Sequence, residues 1–200
     1  MGNSVLARAE HKIYITIKRL RLKNHNPTII ASNCNGGIIL HDLGLKFNTP
    51  TINLYFDPAD FLRFVSDLDG YLAKELAETD SGFDYPAGLL GDVKIYFMHY
   101  PSFAEAKKKW DERAKRINKE NLFVLMTDQN GCTKEQMKQF DNLPFPNKLI
   151  FTHVPQSDIK SAVYMKGFEN DEEVGILSDW KPGFWKRRYI DDYDYITFLK

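Results

Sequence analysis

Two short runs, residues 121–126 (NLFVLM) and 148–152 (KLIFT), are apolar almost without interruption. A strand with one face in water alternates apolar and polar residues, so an unbroken run marks a strand covered on both faces. Between them a helical pattern begins at Thr133, carries Glu135 and Gln136 in its first turn and ends near Phe140. Strand, helix and strand in that order form a βαβ unit, whose connection is long enough to make the two strands parallel. Further strands are expected at 28–32 (TIIAS), 51–56 (TINLYF) and 92–100 (DVKIYFMHY), with 161–165 (SAVYM) as another. Helices are expected after Gly36-Gly37, ending at Gly44; after Asp57-Pro58, with Phe61, Phe64, Val65 and Leu68 buried; and after Pro101-Ser102, with Phe103, Ala106, Trp110, Ala114 and Ile117 along one side. Residues 78–89 (ETDSGFDYPAGL) read as a surface loop. The pattern predicts an α/β fold: a three-layer sandwich with a mostly parallel central sheet, Rossmann-like. Residues 1–26 form a basic amphipathic segment, and 27–200 a single α/β domain.

Composition narrows the function classes. The 200 residues suffice for one domain with a substantial core, and an apolar fraction of 43% excludes a disordered chain. Lysine and arginine total 27, as do aspartate and glutamate, so no overall field draws the chain to nucleic acid. The two cysteines, Cys34 and Cys132, lie in no CxxC pair, which argues against a zinc site or disulfide framework and for a reducing, cytoplasmic compartment. No apolar run approaches the roughly 20 residues that span a bilayer, and the start lacks a signal peptide's apolar core.

In a parallel sheet, ligands bind beyond the carboxyl ends of the strands. Those ends carry Ser32-Asn33-Cys34, His99-Tyr100, the run Thr127 to Gly131, and His153. Cys34 stands in a polar, glycine-flanked turn at the mouth of a helix, where a thiol pKa can fall and backbone amides can hold an oxyanion. The rim therefore predicts Cys34 as nucleophile, His99 as its base with His153 as the second candidate, and Asp128 orienting the imidazole. Asn33 with the Gly36 and Gly37 amides would form an anion hole. Each residue also has a plain structural reading: a small buried cysteine, glycines making a tight turn, an Asx turn at Asp128. No HxH or HxxxH spacing supports a metal centre.

Two basic segments stand apart from the rim. Trp110, Arg113 and Arg116 recur at intervals of three, so they share a helix flank that could grip a donor phosphate and stack a sugar or base. Residues 5–23 carry a basic amphipathic pattern, with Ile13, Ile17 and Leu20 at helical spacing and Leu6 and Ala9 upstream; such a helix either packs on its own domain or touches an anionic membrane surface. Residues 183–195 (GFWKRRYIDDYDY) mix aromatic and basic groups, but the aspartates within them would repel a polyanion.

The string Asn33-Cys34 followed by Gly36-Gly37, together with LYFDPADFLRFVSDLDGYL, YPAGLLGDVKIYFMHYPSFAEAKKKWDERAKRIN and NLFVLMTDQNGCTKEQMKQFDNLPFPNKLIFT, resembles a bacterial domain family labelled exopolysaccharide biosynthesis protein. The resemblance runs from Pro27 to Thr152, with one departure: Asn35 stands where many relatives have Trp. It implies surface-polysaccharide assembly carried out in the cytoplasm; membrane contact through residues 5–23 would put the chain at the inner face of the cell membrane. On this reading the chain is a transferase moving an acyl group to a glycan hydroxyl, with no bound cofactor and a coenzyme A thioester or nucleotide-sugar as donor. The alternatives are nucleotide-sugar-dependent glycosyl or phosphoglycosyl transfer, and a non-catalytic partner in a glycan-assembly complex. The sequence leaves the donor, the acceptor and the oligomeric state open.

Overall fold

The computed structural model describes residues 5–182 and 187–200, with side chains from Ala9 onward. In chain order the elements are α1 (Val5–Arg21), β1 (Thr28–Ala31), α2 (Asn35–Leu43), α3 (Pro58–Ser66), α4 (Leu68–Leu72), β2 (Leu76–Thr79), β3 (Ala87–Leu90) and β4 (Val93–Tyr96). They continue with α5 (Phe103–Ala114), β5 (Leu122–Thr127), α6 (Lys134–Asp141), β6 (Lys148–Thr152), β7 (Ala162–Tyr164) and α7 (Tyr195–Phe198). The fold is mixed α/β. Four strands form a parallel sheet in the order β1-β5-β6-β7, with Ile29 opposite Phe123 and Leu125 opposite Leu149. The other three form an antiparallel sheet in the order β2-β3-β4.

Alternate residues of the parallel strands enter two separate cores, which explains their unbroken apolar runs. Ile30, Val124, Met126 and Ile150 pack with Phe61 and Phe64 of α3, Trp110 of α5, Phe140 of α6, and Leu90 and Ile95 of the antiparallel sheet. Ile29, Phe123, Leu125 and Phe151 pack with Ile39 and Leu40 of α2 and with Ile190, Tyr195 and Leu199 near the C-terminus. A fully buried side chain of this size contributes roughly 1.5–3 kcal/mol.

Two expected strands fall outside the parallel sheet. In residues 51–56 Tyr55 forms an isolated antiparallel bridge to Tyr96, and the Phe56 amide donates to the Ser32 carbonyl just past β1 at 2.9 Å. Asn53 takes φ 60°, which breaks the extended run. Of 92–100, only Val93–Tyr96 is strand, and it pairs back on β3 through a two-residue turn at Gly91-Asp92, where Gly91 has φ 69°. The expected loop at 78–89 contains the ends of β2 and β3, paired from Leu76↔Leu90 to Thr79↔Ala87. Among the described residues no helix is long and apolar enough to cross a membrane.

Helix α1 packs through Ile15, Lys18 and Leu22, all buried, and leaves Ile13, Ile17 and Leu20 exposed. The Leu6 side chain of that stripe, and Gly183 to Lys186 of the aromatic-basic segment, lie outside the described residues.

Candidate functional site

A cavity of about 520 Å³ opens beyond the carboxyl ends of β1 and β5. Cys34 and His99 both line it, with Asn33, Asn35, Gln129 and Asn130 from the two strand ends. Tyr55 and Tyr85 form an aromatic wall, and Glu173 and Ile176 arrive from the segment after β7.

The β1 end is tied down by side-chain hydrogen bonds. Asn33 Nδ2 donates to Thr127 Oγ1 at 3.0 Å and to Gln129 Oε1 at 2.8 Å, while its Oδ1 accepts from the Asn35 amide at 3.1 Å. Gln129 Nε2 donates to the Gly175 carbonyl at 3.2 Å, tying the β5 end to the segment before Ile176. Both amide donors of Asn33 are thus engaged within the protein, and it is not free to serve an oxyanion.

Cys34 precedes the first turn of α2, and its thiol donates to the Leu54 carbonyl at 3.7 Å. Burial pushes that thiol up from its ordinary range, and the bond to Leu54 only partly opposes it. It is a neutral thiol at neutral pH, not an activated thiolate. Gly36 and Gly37 are buried and do not line the cavity. A Cβ on Gly36 would lie 2.7 Å from the Ala31 Cβ, and one on Gly37 3.2 Å from Ile52 Cδ1. The pair is there so that α2 can lie against β1 and Ile52. His99 reaches the cavity by another route than a parallel strand: β4 ends at Tyr96 and the following turn carries His99 out, exposed.

The remaining candidates lie elsewhere. Asp128 is buried and structural: Oδ2 accepts from the His153 amide at 2.8 Å and pairs with His153 Nδ1 at 2.6 Å, and Oδ1 accepts from the Val174 amide at 2.8 Å. It clamps the ends of β5 and β6 to the 174 segment, so it orients His153 and not His99. Neither Asp128 nor His153 lines the cavity. Trp110 is 3% exposed, packed between Phe64 and Phe97, so its face is closed to a ligand. Arg113 donates to the Tyr100 hydroxyl at 2.6 Å and lies over the Phe47 ring; Arg116 donates to the Glu112 carbonyl at 3.1 Å and pairs with the Glu112 carboxylate. The sequence flank of Trp110, Arg113 and Arg116 therefore joins α5 to its neighbours and makes no part of this cavity. No three His, Cys, Asp or Glu side chains gather as a metal site would require among the described residues.

The sequence assigns no role to Tyr55, Tyr85, Glu173 and Ile176, and places Gln129 and Asn130 at the rim without giving them one. Gln129 and Asn130 had a usable signal, since they follow a buried strand directly. Tyr85 and Glu173 had none, because only the folding of distant loops over the rim brings them in.

Comparison with known proteins is consistent across the chain. A family model described as "Domain of unknown function (DUF1919)" matches residues 5–200. A Haemophilus influenzae (strain Rd) protein described as uncharacterized is 44% identical over 184 residues, covering 92% of this chain and 88% of its own length.

Proposed function

The chain belongs to the DUF1919 family, and from the build of its rim cavity we propose that it is a transferase acting on a sugar-bearing substrate in bacterial surface-polysaccharide assembly. The observation that carries this reading is the lining of the cavity at the strand ends: an exposed imidazole beside carboxamides and a pair of tyrosines. The Asn35 and Asn130 carboxamides, which no described residue hydrogen-bonds, can exchange hydrogen bonds with hydroxyls, the Tyr55 and Tyr85 hydroxyls bond each other at 2.9 Å, and a tyrosine ring packs against the C–H face of a pyranose. The volume lies within the range of small-molecule sites. Among the described residues no lysine or arginine lines the cavity, which favours a neutral, hydroxylated moiety there over a pyrophosphate. The polysaccharide context rests on the resemblance of the segments quoted above, and a coenzyme A thioester or nucleotide-sugar donor would favour a cytoplasmic reaction.

The reaction we favour is acyl transfer to a glycan hydroxyl, with His99 as general base. The imidazole takes the hydroxyl proton as the sugar oxygen forms its bond to the thioester carbonyl. The C–S bond then breaks, and the leaving coenzyme A thiolate receives the proton from His99. A neutral Cys34 is no nucleophile for a covalent relay, so this direct route fits the thiol's environment better.

Thermal unfolding with acetyl-coenzyme A and, separately, with UDP-sugars tests the reading. A ligand at about a hundred times its Kd stabilises by about 2.7 kcal/mol, a clear rise in midpoint. Stabilisation by the thioester supports acyl transfer. Stabilisation by UDP-sugars alone replaces it with glycosyl transfer, and a flat response to both refutes the transferase reading in favour of a binding partner.

A further inference from the structure

The geometry points to α1 as a docking surface for an anionic membrane. This inference does not depend on the sugar reading, because it concerns a different part of the molecule. One face of α1 packs inward: Ile15, Lys18 and Leu22 are buried, and the Tyr14 hydroxyl donates to the Asp191 carbonyl at 2.7 Å. The opposite face carries Ile13, Ile17 and Leu20, which are 62%, 51% and 82% exposed. At i, i+4 and i+7 these three side chains stand in one row along the helix. The fold leaves all three in water, where their apolar surface has no partner among the described residues.

Their flank is basic. Lys12, Thr16 and Arg19 form a neighbouring exposed row, and Lys23 continues just past the helix end. Arg19 is anchored over the end of α2, donating to the Asp42 carbonyl at 2.6 Å, and Arg21 on the other flank pairs with Asp194 at 2.8 Å. Lys12 and Lys23, both exposed, sit where they can reach lipid phosphates. The chain as a whole has a formal net charge of zero, so this cationic strip is a local feature. An aliphatic row beside lysines matches a bilayer interface: the row enters the acyl boundary while the ammonium groups meet anionic headgroups. A second copy docking on the same row would set one cationic edge near another, so charge favours lipid as the occupant. Three aliphatics and a few lysines give reversible, salt-sensitive attachment.

The test is co-sedimentation of the full chain with phosphatidylcholine vesicles containing about a third phosphatidylglycerol. Binding is expected at low salt and a roughly tenfold weaker partition at high salt, with none on phosphatidylcholine alone. The Ile13→Ser/Ile17→Ser/Leu20→Ser variant should lose binding while keeping its unfolding midpoint, since all three side chains are exposed in the folded chain. Lys12→Gln/Lys23→Gln should weaken binding and its salt dependence together. Wild-type protein that stays in the supernatant overturns the proposal. So does a triple-serine variant that binds like wild type, or a concentration-dependent wild-type dimer that the triple variant abolishes.

Discussion

Cys34 and His99 share a cavity but differ in what their surroundings let them do. The Cys34 thiol is half-buried and donates to a carbonyl, and desolvation raises its pKa. The His99 ring is exposed, and no described residue hydrogen-bonds it. If transfer runs directly from donor to glycan hydroxyl, Cys34→Ala should keep activity within about tenfold of wild type, whereas His99→Ala should lose on the order of a hundredfold or more in kcat/KM. Steady-state rates of the two variants decide it: a Cys34→Ala enzyme as dead as His99→Ala would restore the covalent route. Both residues stand out in the sequence as polar, reactive groups near strand ends. Their surroundings do not, because these depend on Leu54 and on a turn after β4 that no local pattern announces. Asp128 makes the same point from the other side. Its position after β5 is legible, but its partner, His153, is decided by which strand lies next to β5 in space.

At the scale of elements, the Asn33-to-Gly37 turn gives α2 its close seat on β1. Gly36 faces Ala31 and Ile29, both fully buried in the strand, so an added methyl meets main-chain-anchored atoms that cannot swing away. Gly37 faces the tip of Ile52, which can rotate. Gly36→Ala should therefore cost about 1–3 kcal/mol by overpacking. For Gly37→Ala the better helix propensity of alanine, worth up to about 1 kcal/mol, offsets most of the contact. Urea unfolding of both variants checks the order; equal costs would mean α2 is held less closely than the geometry says. The unbroken runs at β5 and β6 reveal themselves in sequence because burial on both faces removes every polar residue. The runs at 51–56 and 92–100 look just as strand-like, yet their fate turns on Asn53 at positive φ and on a Gly91 turn that folds β4 back on β3. Parallel or antiparallel pairing is a nonlocal choice, and the residues of a strand carry little of it.

Across the whole molecule the two ends of the chain meet. Helix α1 lies against the last residues: the Tyr14 hydroxyl bonds the Asp191 carbonyl, Arg21 pairs with Asp194, and Arg188 pairs with Asp191 at 2.8 Å and with Asp42 of α2. Lys18 sits inside this junction, 2% exposed, with its ammonium 3.4 Å from the centre of the Tyr195 ring. Burial pulls its pKa from the ordinary lysine range down to about 8, against the pull of Asp191 and Asp194, while Arg188 adds to the lowering. A folded-state pKa below the unfolded value, about 10.4, means that the unfolded chain holds the proton more tightly. From about pH 8 upward the folded chain releases that proton first, so Lys18 adds stability as pH rises and withdraws it as pH falls through 8. Cys132 works the other way, since burial pushes its thiol up to about 12 and the unfolded thiol ionises earlier. The two contributions separate in a Lys18→Met variant, which keeps Cys132. Between about pH 7.5 and 9.5 the stability difference should move by ~2 kcal/mol in favour of wild type. Urea midpoints of the two proteins at both pH values measure this, and parallel pH profiles would place the Lys18 ammonium in water, with the joint between the chain ends open.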